Sequence, residues 1–298
     1  MLRIFACLFL LAIANSAWAE ERVPAYVLQM PASLSSLFIA DTSKARLYRF
    51  EPSADGVQSS YESYISIGQK GVGKQEAWDR RTPLGVYFVV DHLDTSRMHE
   101  KYGLTAFPLD YPNTLDRKYE RTGDGIWVHG VLPGGGQRPE LDTDGCIALP
   151  NEDLAKLQSD FIPLATPVIV TREMRWLDSA SIAALRTELT AAVNDWVAAN
   201  AASDLHAYLS LYDDAFSYRG MSLREWAALR LQAFAGRGEI SFSIDELLLL
   251  ADPEEEGLFL SRFVQTTSGS ANGSRNIKRL YWRRNAANEW RIIAEDNG

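Results

Sequence analysis

Cysteine is almost absent: the 298-residue chain has two, Cys7 and Cys146. Long apolar runs are missing too. After the first residues no stretch reaches the ~18 uninterrupted apolar residues of a membrane span. Positive charge is in deficit, with a formal net charge of -9 and a pI near 5.1. Such a chain lacks the broad positive field that holds phosphate backbones, so nucleic acid is excluded as the expected partner. Histidine is scarce, at 4 residues, and His92 and His99 form the only close pair. Zinc, which needs three or four ligands, is therefore not expected. Glu140-x-Asp142-x-Asp144-Gly145 mimics part of a calcium loop, but it begins with Glu and has Asn151 where the bidentate Glu belongs. No internal repeat or low-complexity tract is present, and no cofactor is implied.

The N-terminus contains what the rest lacks. Arg3 precedes the apolar run Ile4–Ile13, and Ala17-Trp18-Ala19 supplies small residues before a cut after Ala19. Residues 1–19 are expected to be a secretory signal peptide, which implies export to the periplasm and no transmembrane helix after cleavage. Cys7 leaves with it. One thiol, Cys146, then remains in a compartment that oxidises pairs, so it is either buried and inert or kept for its reactivity.

Beyond an N-terminal segment, 20–34, the pattern to about residue 173 is β-rich with long loops. Leu37–Ala40 and Leu47–Phe50 flank the polar turn Asp41-Thr42-Ser43-Lys44 and read as a hairpin. Tyr64–Ile67, Gly85–Asp91, Ile126–His129 and Val168–Thr171 read as further strands. Gly68–Arg81 and Leu93–Gly123 read as irregular loops, and loops of that length in a compact domain are often functional. Asn151, followed by Glu152 and Asp153, reads as the N-cap of a short helix. Between residues 173 and 178 the character changes. Asp178–Asn200, Ser203–Tyr212 and Leu223–Phe234 have helical spacing, and β-like segments follow near 240–250, 258–267, 277–283 and 290–293. The fold class expected is mixed: a β-rich domain over 35–173, then an α+β domain over 178–298.

The chemistry converges on two residues. In Ile126-Trp127-Val128-His129-Gly130 the side chains alternate, so Trp127 and His129 share a face. The glycines at 134–136 and two prolines let the chain double back towards Cys146. An unperturbed thiol has a pKa near ~8.5 and needs a base, which His129 can be. Its other nitrogen needs a fixed partner, often a carbonyl. Gly145 permits close backbone approach, and the amides of Gly145 and Cys146 are candidate oxyanion donors. If His129 activates Cys146, alkylation should show a midpoint below that of free cysteine.

Ile126–Gly130 followed by Thr143-Asp144-Gly145-Cys146-Ile147-Ala148-Leu149-Pro150-Asn151 resembles the L,D-transpeptidase family with the YkuD-type catalytic domain. Thr82-Pro83-Leu84-Gly85 is similar to a further element of that family, and Gly71–Trp78 with Ala106–Asn113 to a subgroup. The resemblance implies Cys146 as nucleophile, His129 as base and the Gly130 carbonyl as its orienting group. It also implies a thioester at the L-centre of diaminopimelate in peptidoglycan stem peptides. Trp127, Tyr111, Asn113 and Thr143 are the candidate substrate-binding residues. Transfer to an amine would make a transpeptidase, and transfer to water an L,D-carboxypeptidase. Many cross-linking members carry Arg two residues after the cysteine. Here Ala148 stands there, which points to hydrolysis.

The second domain resembles nuclear-transport-factor-2-like domains, helices on a curved sheet, and is expected to take a further ligand or protein partner. His206 reads first as a hydrogen-bonded helix histidine and Tyr208, Trp226 and Trp282 as core aromatics, with lining of a ligand cavity as their second reading. The basic stretch Arg275, Lys278, Arg279, Arg283 and Arg284 reads as edge-strand protection, with a surface for an anionic wall polymer as the alternative. The alternative functions are detachment of a wall-linked lipoprotein and a non-catalytic wall-binding module.

Overall fold

The structure, a computed structural model, describes residues 22–54, 56–134, 137–235, 240–269 and 273–298. The expected signal peptide and two glycines of the 134–136 run, Gly135 and Gly136, lie outside the described residues. The fold class is mixed, as expected: a sheet-rich domain precedes a domain of helices on a curved sheet.

The first domain is organised around two sheets. One has five strands in the order Gly56–Tyr64, Arg46–Ser53, Leu37–Asp41, Pro167–Thr171, Gly85–Phe88. The hairpin turn is closed by Asp41, whose buried carboxylate accepts from the Ser43 and Lys44 amides at 3.1 and 3.3 Å. The other sheet runs Ile147–Ala148, Trp127–His129, Thr105–Pro108, Leu93–Asp94. Phe38, Leu47, Tyr87, Phe107, Val128, Ile147 and Val170 fill the space between the sheets. The chemistry-bearing strand is thereby fixed from behind by Val128 while its opposite face is left to the cleft.

The Leu93–Gly123 segment is more regular than its sequence suggests. It contains two of these strands and the helix Thr114–Lys118. Asn113 and Asp116 form a capping box at the start of that helix, which satisfies its first amides.

In the second domain Asp178 caps the long helix Ser179–Ala201 through the Ser181 amide at 2.7 Å. The expected helix Ser203–Tyr212 is shorter, Leu205–Ser210, and Tyr212 begins a strand, Tyr212–Tyr218. Four long strands form the rest of a seven-stranded sheet with Met221–Ser222 at one end. At the other end lies Val27–Gln29 from the N-terminal segment, paired with Ser241–Ala251. Arg22–Pro24 also pairs with Trp176–Asp178. The two domains thus share a core, in which Leu37, Ile39, Val86 and Ile169 meet Leu250, Leu260 and Tyr281.

The basic stretch is not on an edge. Its strand, Ser274–Arg284, lies between Leu258–Ser268 and Trp290–Asp296. Every one of the five cations is paired, Arg279 with Asp110 and Asp296, both at 2.5 Å, and the others with Glu246, Glu295, Glu255 and Glu188. Charge neutralisation, partly across the domain interface, replaces the edge-protection expectation. No helix among the described residues is long and apolar enough to cross a membrane.

Candidate active site

Strand register brings the two expected residues together. Val128 pairs in parallel with Ile147, and His129 with Ala148. Continuing that register by one residue sets Cys146 across from Trp127. Paired residues share a face, so Cys146 and His129 project to the side opposite Val128 and Ile147. Both line a cleft of about 660 Å³ together with Tyr102, Lys101, Arg138, Asp142, Thr143 and Asp144.

His129 is buried, 2% exposed. Its Nδ1–H donates to the Gly130 carbonyl at 2.5 Å, so Nε2 carries the lone pair and is the basic atom. Tyr102 meets the imidazole edge-on at 5.2 Å and leans on Trp127 at 5.0 Å. Burial holds the His129 pKa down to about 4 against the pull of the Gly130 carbonyl.

Cys146 is also buried, and its thiol donates to the Gly125 carbonyl at 3.4 Å. Burial pushes the thiol up to about 11, with the Trp127 amide acting in the opposite direction. The expectation of a depressed thiol pKa is therefore corrected. At neutral pH the resting pair is thiol and imidazole, not thiolate and imidazolium, because desolvation disfavours both charged forms.

Gly145 has a structural reason. Its φ is +127°, and a Cβ there would lie 2.8 Å from the Arg81 carbonyl oxygen. Its amide already donates to Thr143 Oγ1 at 3.1 Å, and that hydroxyl donates to the Cys146 carbonyl at 2.7 Å. In this geometry the Gly145 amide is occupied, which corrects its assignment as oxyanion donor, and the Cys146 amide is the remaining candidate. Thr143 holds this turn as well as lining the cleft.

Tyr111 and Asn113 do not line the cleft. Tyr111 packs in the core and donates to the Thr122 carbonyl at 3.0 Å. Asn113 caps its helix and donates to the Val86 carbonyl at 3.1 Å. Both are structural residues rather than groove residues. Trp127 is half-buried against Tyr102.

Sequence reasoning missed the role of Asn151. Pro150 takes the N-cap position, and Asn151 turns back to bracket Val131, accepting from its amide and donating to its carbonyl, both at 2.9 Å. The Gly130 backbone is pressed against it: a Cβ on Gly130 would lie 2.3 Å from Asn151 Oδ1. Asn151 thus fixes the peptide whose carbonyl orients His129. Asn151→Ala leaves two backbone groups unpaired and is expected to cost about 2 kcal/mol of stability. Turnover should fall about tenfold through kcat, with KM little changed. A melting curve with steady-state kinetics checks both.

In the second domain a smaller pocket of about 210 Å³ is lined by Tyr208, Trp226, Arg230, Asn276 and Lys278 among others. His206 is exposed and outside it, and Trp282 is fully buried, donating to Ser261 Oγ at 2.9 Å.

A thiol and an imidazole oriented by a carbonyl, carried on adjacent strands at one cleft, are the arrangement that cysteine acyl transfer requires. Residues 35–170 match the L,D-transpeptidase catalytic domain, YkuD, and residues 188–296 the Cds6 C-terminal NTF2-like domain. The chain thus carries an L,D-transpeptidase catalytic domain followed by a C-terminal NTF2-like domain. Two solved structures share the full two-domain arrangement. Bd1075 of Bdellovibrio bacteriovorus has a TM-score of 0.76 at 22% identity, over 93% of this chain and 98% of that one. The helical cell shape determining protein Pgp2 of Campylobacter jejuni has a TM-score of 0.73 at 25% identity, over 88% and 91%. The comparison with curated proteins gave no match.

Proposed function

We propose that this protein is a periplasmic L,D-carboxypeptidase that trims peptidoglycan tetrapeptides to tripeptides. The observation that carries the proposal is the buried Cys146 thiol on the same cleft face as an imidazole oriented by the Gly130 carbonyl. His129 Nε2 takes the thiol proton as sulfur attacks the carbonyl of the L-centre of diaminopimelate. The oxyanion meets the Cys146 amide, and the proton passes from His129 to the departing amine of D-alanine. A thioester remains. Water, deprotonated by His129, then releases the tripeptide and restores the thiol. The likeness to a cell shape determining protein supports a role in shaping the wall. A further ligand or protein partner would sit at the pocket of the second domain.

Water is favoured as acceptor because Ala148 occupies the position where many cross-linking members carry Arg. Ala148 is buried and lines an adjoining cleft with Ser66, Val131 and Arg138. Ala148→Arg is expected to raise the ratio of transfer to hydrolysis several-fold when an amine acceptor is in excess. An unchanged ratio would remove Ala148 as the cause.

The test is mass spectrometry of the mature chain incubated with disaccharide-tetrapeptide, with and without an amine acceptor, and Cys146→Ala as control. Tripeptide that disappears in the mutant supports the carboxypeptidase. A dimer or acceptor adduct makes the enzyme a transpeptidase. Failure of both turns attention to a wall-linked lipoprotein bond or to binding without chemistry.

A further inference from the structure

One wall of the cleft is built to display two side chains. Trp78 is 94% exposed, and among the described cleft-lining residues it is the one large hydrophobic side chain left open to solvent. Beside it Arg80 is exposed, has no carboxylate partner among the described residues and donates to Gln69 Oε1 at 3.1 Å. Both have positive φ, 66° for Trp78 and 56° for Arg80, a conformation that bulky residues rarely adopt. Such strain persists only where the surroundings over-determine it.

Here the surroundings do. Asp79, between the two, accepts from the Gln75, Glu76 and Arg81 amides at 2.8, 3.2 and 3.0 Å. It also pairs with the buried Lys74 ammonium at 2.8 Å. The Ala77 amide donates to Thr122 Oγ1 at 3.2 Å, and the Lys70 amide to the Arg80 carbonyl at 3.1 Å. The loop is therefore a fixed platform and not a lid, and it keeps an indole in water at the mouth of a catalytic cleft.

We propose that Trp78 and Arg80 form a glycan-proximal subsite, in which the indole stacks on the sugar ring that bears the stem peptide and Arg80 pairs with a stem carboxylate. The inference rests on the peptidoglycan reading and extends it to the glycan end of the substrate. A stem peptide of alanine, glutamate and diaminopimelate offers no large apolar face, whereas the C–H face of a pyranose does, and an exposed indole gains by covering it. The neighbouring guanidinium gives carboxylate recognition of the kind arginine performs in a fixed fork.

The test measures calorimetric binding in the Cys146→Ala background, with disaccharide-tetrapeptide and with free tetrapeptide. Trp78→Ala should weaken the disaccharide ligand about tenfold and leave the free peptide within about twofold. Trp78→Tyr should restore most of the difference, and Arg80→Ala should weaken both ligands. Equal loss for both ligands on Trp78→Ala, no loss for either, or no rescue by tyrosine overturns the subsite. Turnover of the unsubstituted chain is measured separately. A chain that binds with the Trp78-dependent glycan preference yet releases no D-alanine keeps the subsite and defeats the carboxypeptidase.

Discussion

His129→Ala is expected to lower D-alanine release by about a thousandfold or more while leaving the alkylation of Cys146 nearly unchanged. The two halves of that expectation have different causes. Turnover needs a group that removes the thiol proton during attack and returns it to the leaving amine, and His129 Nε2 is that group in the proposed reaction. Resting thiol reactivity is set elsewhere. The thiol is bound to the Gly125 carbonyl, and burial is the largest influence on it, with the Trp127 amide next. Loss of the imidazole leaves those in place. An enzyme with a resting thiolate–imidazolium pair behaves otherwise, because removing the imidazole there raises the thiol pKa and slows alkylation. Iodoacetamide kinetics and tripeptide release, measured on the same two proteins, separate the cases. Parallel loss of both would show an ion pair at rest and remove the neutral-pair argument. His129→Ala also leaves the Gly130 carbonyl without its donor in a buried site, at about 1–3 kcal/mol. A melting curve must therefore confirm that the variant is folded at the assay temperature.

The two residues that meet in the cleft, Cys146 and His129, were legible because their signals are local. Alternation in Ile126–Gly130 put His129 and Trp127 on one face, and Cys146 follows the polar residues Thr143-Asp144-Gly145 instead of lying in the apolar run expected around an inert core thiol. Contacts between distant segments were not legible. Asn151 followed by two acidic residues has the local pattern of an N-cap, yet its best partners are the backbone groups of Val131, twenty positions away. Tyr111 and Asn113, in the segment Ala106–Asn113 that is similar to a family subgroup, were named as candidate substrate-binding residues. A capping box and a core hydroxyl bond account for them, and neither is visible without the fold. Strand Tyr212–Tyr218 was hidden by its two adjacent aspartates, and Val27–Gln29 gave no sign that it would complete the other domain's sheet. The protonation states follow from burial, which only the packed structure supplies.

The second large effect is on pH. Turnover is expected to persist far below neutrality, with an acid limb centred near pH 4 instead of the ~6.5 of free imidazole, because burial holds His129 near 4. At pH 4.5 an exposed imidazole would be about 1% in its basic form, whereas His129 stays mostly basic. On the alkaline side the thiol titrates near 11, so iodoacetamide reactivity should rise only towards that value. Stability follows with definite signs. His129 is depressed on folding, so as pH falls the unfolded chain takes the proton first. Its contribution is complete above about 6.5 and declines between 6.5 and 4, by about 3 kcal/mol in all. Cys146 is raised on folding, so its contribution is complete below about 9 and is lost as pH rises towards 11. Asp252, pushed up to about 6 by burial, opposes the first trend, since its contribution is present in acid and lost as pH rises from the ordinary carboxylate range through 6. The wild-type curve alone is therefore ambiguous, and the His129 contribution is the difference between wild type and His129→Gln in denaturant midpoints from pH 4 to 7. That difference should favour the glutamine variant increasingly as pH falls. A difference that stays flat, together with a kinetic acid limb near 6.5, would show that water reaches the imidazole and that the site is not dry.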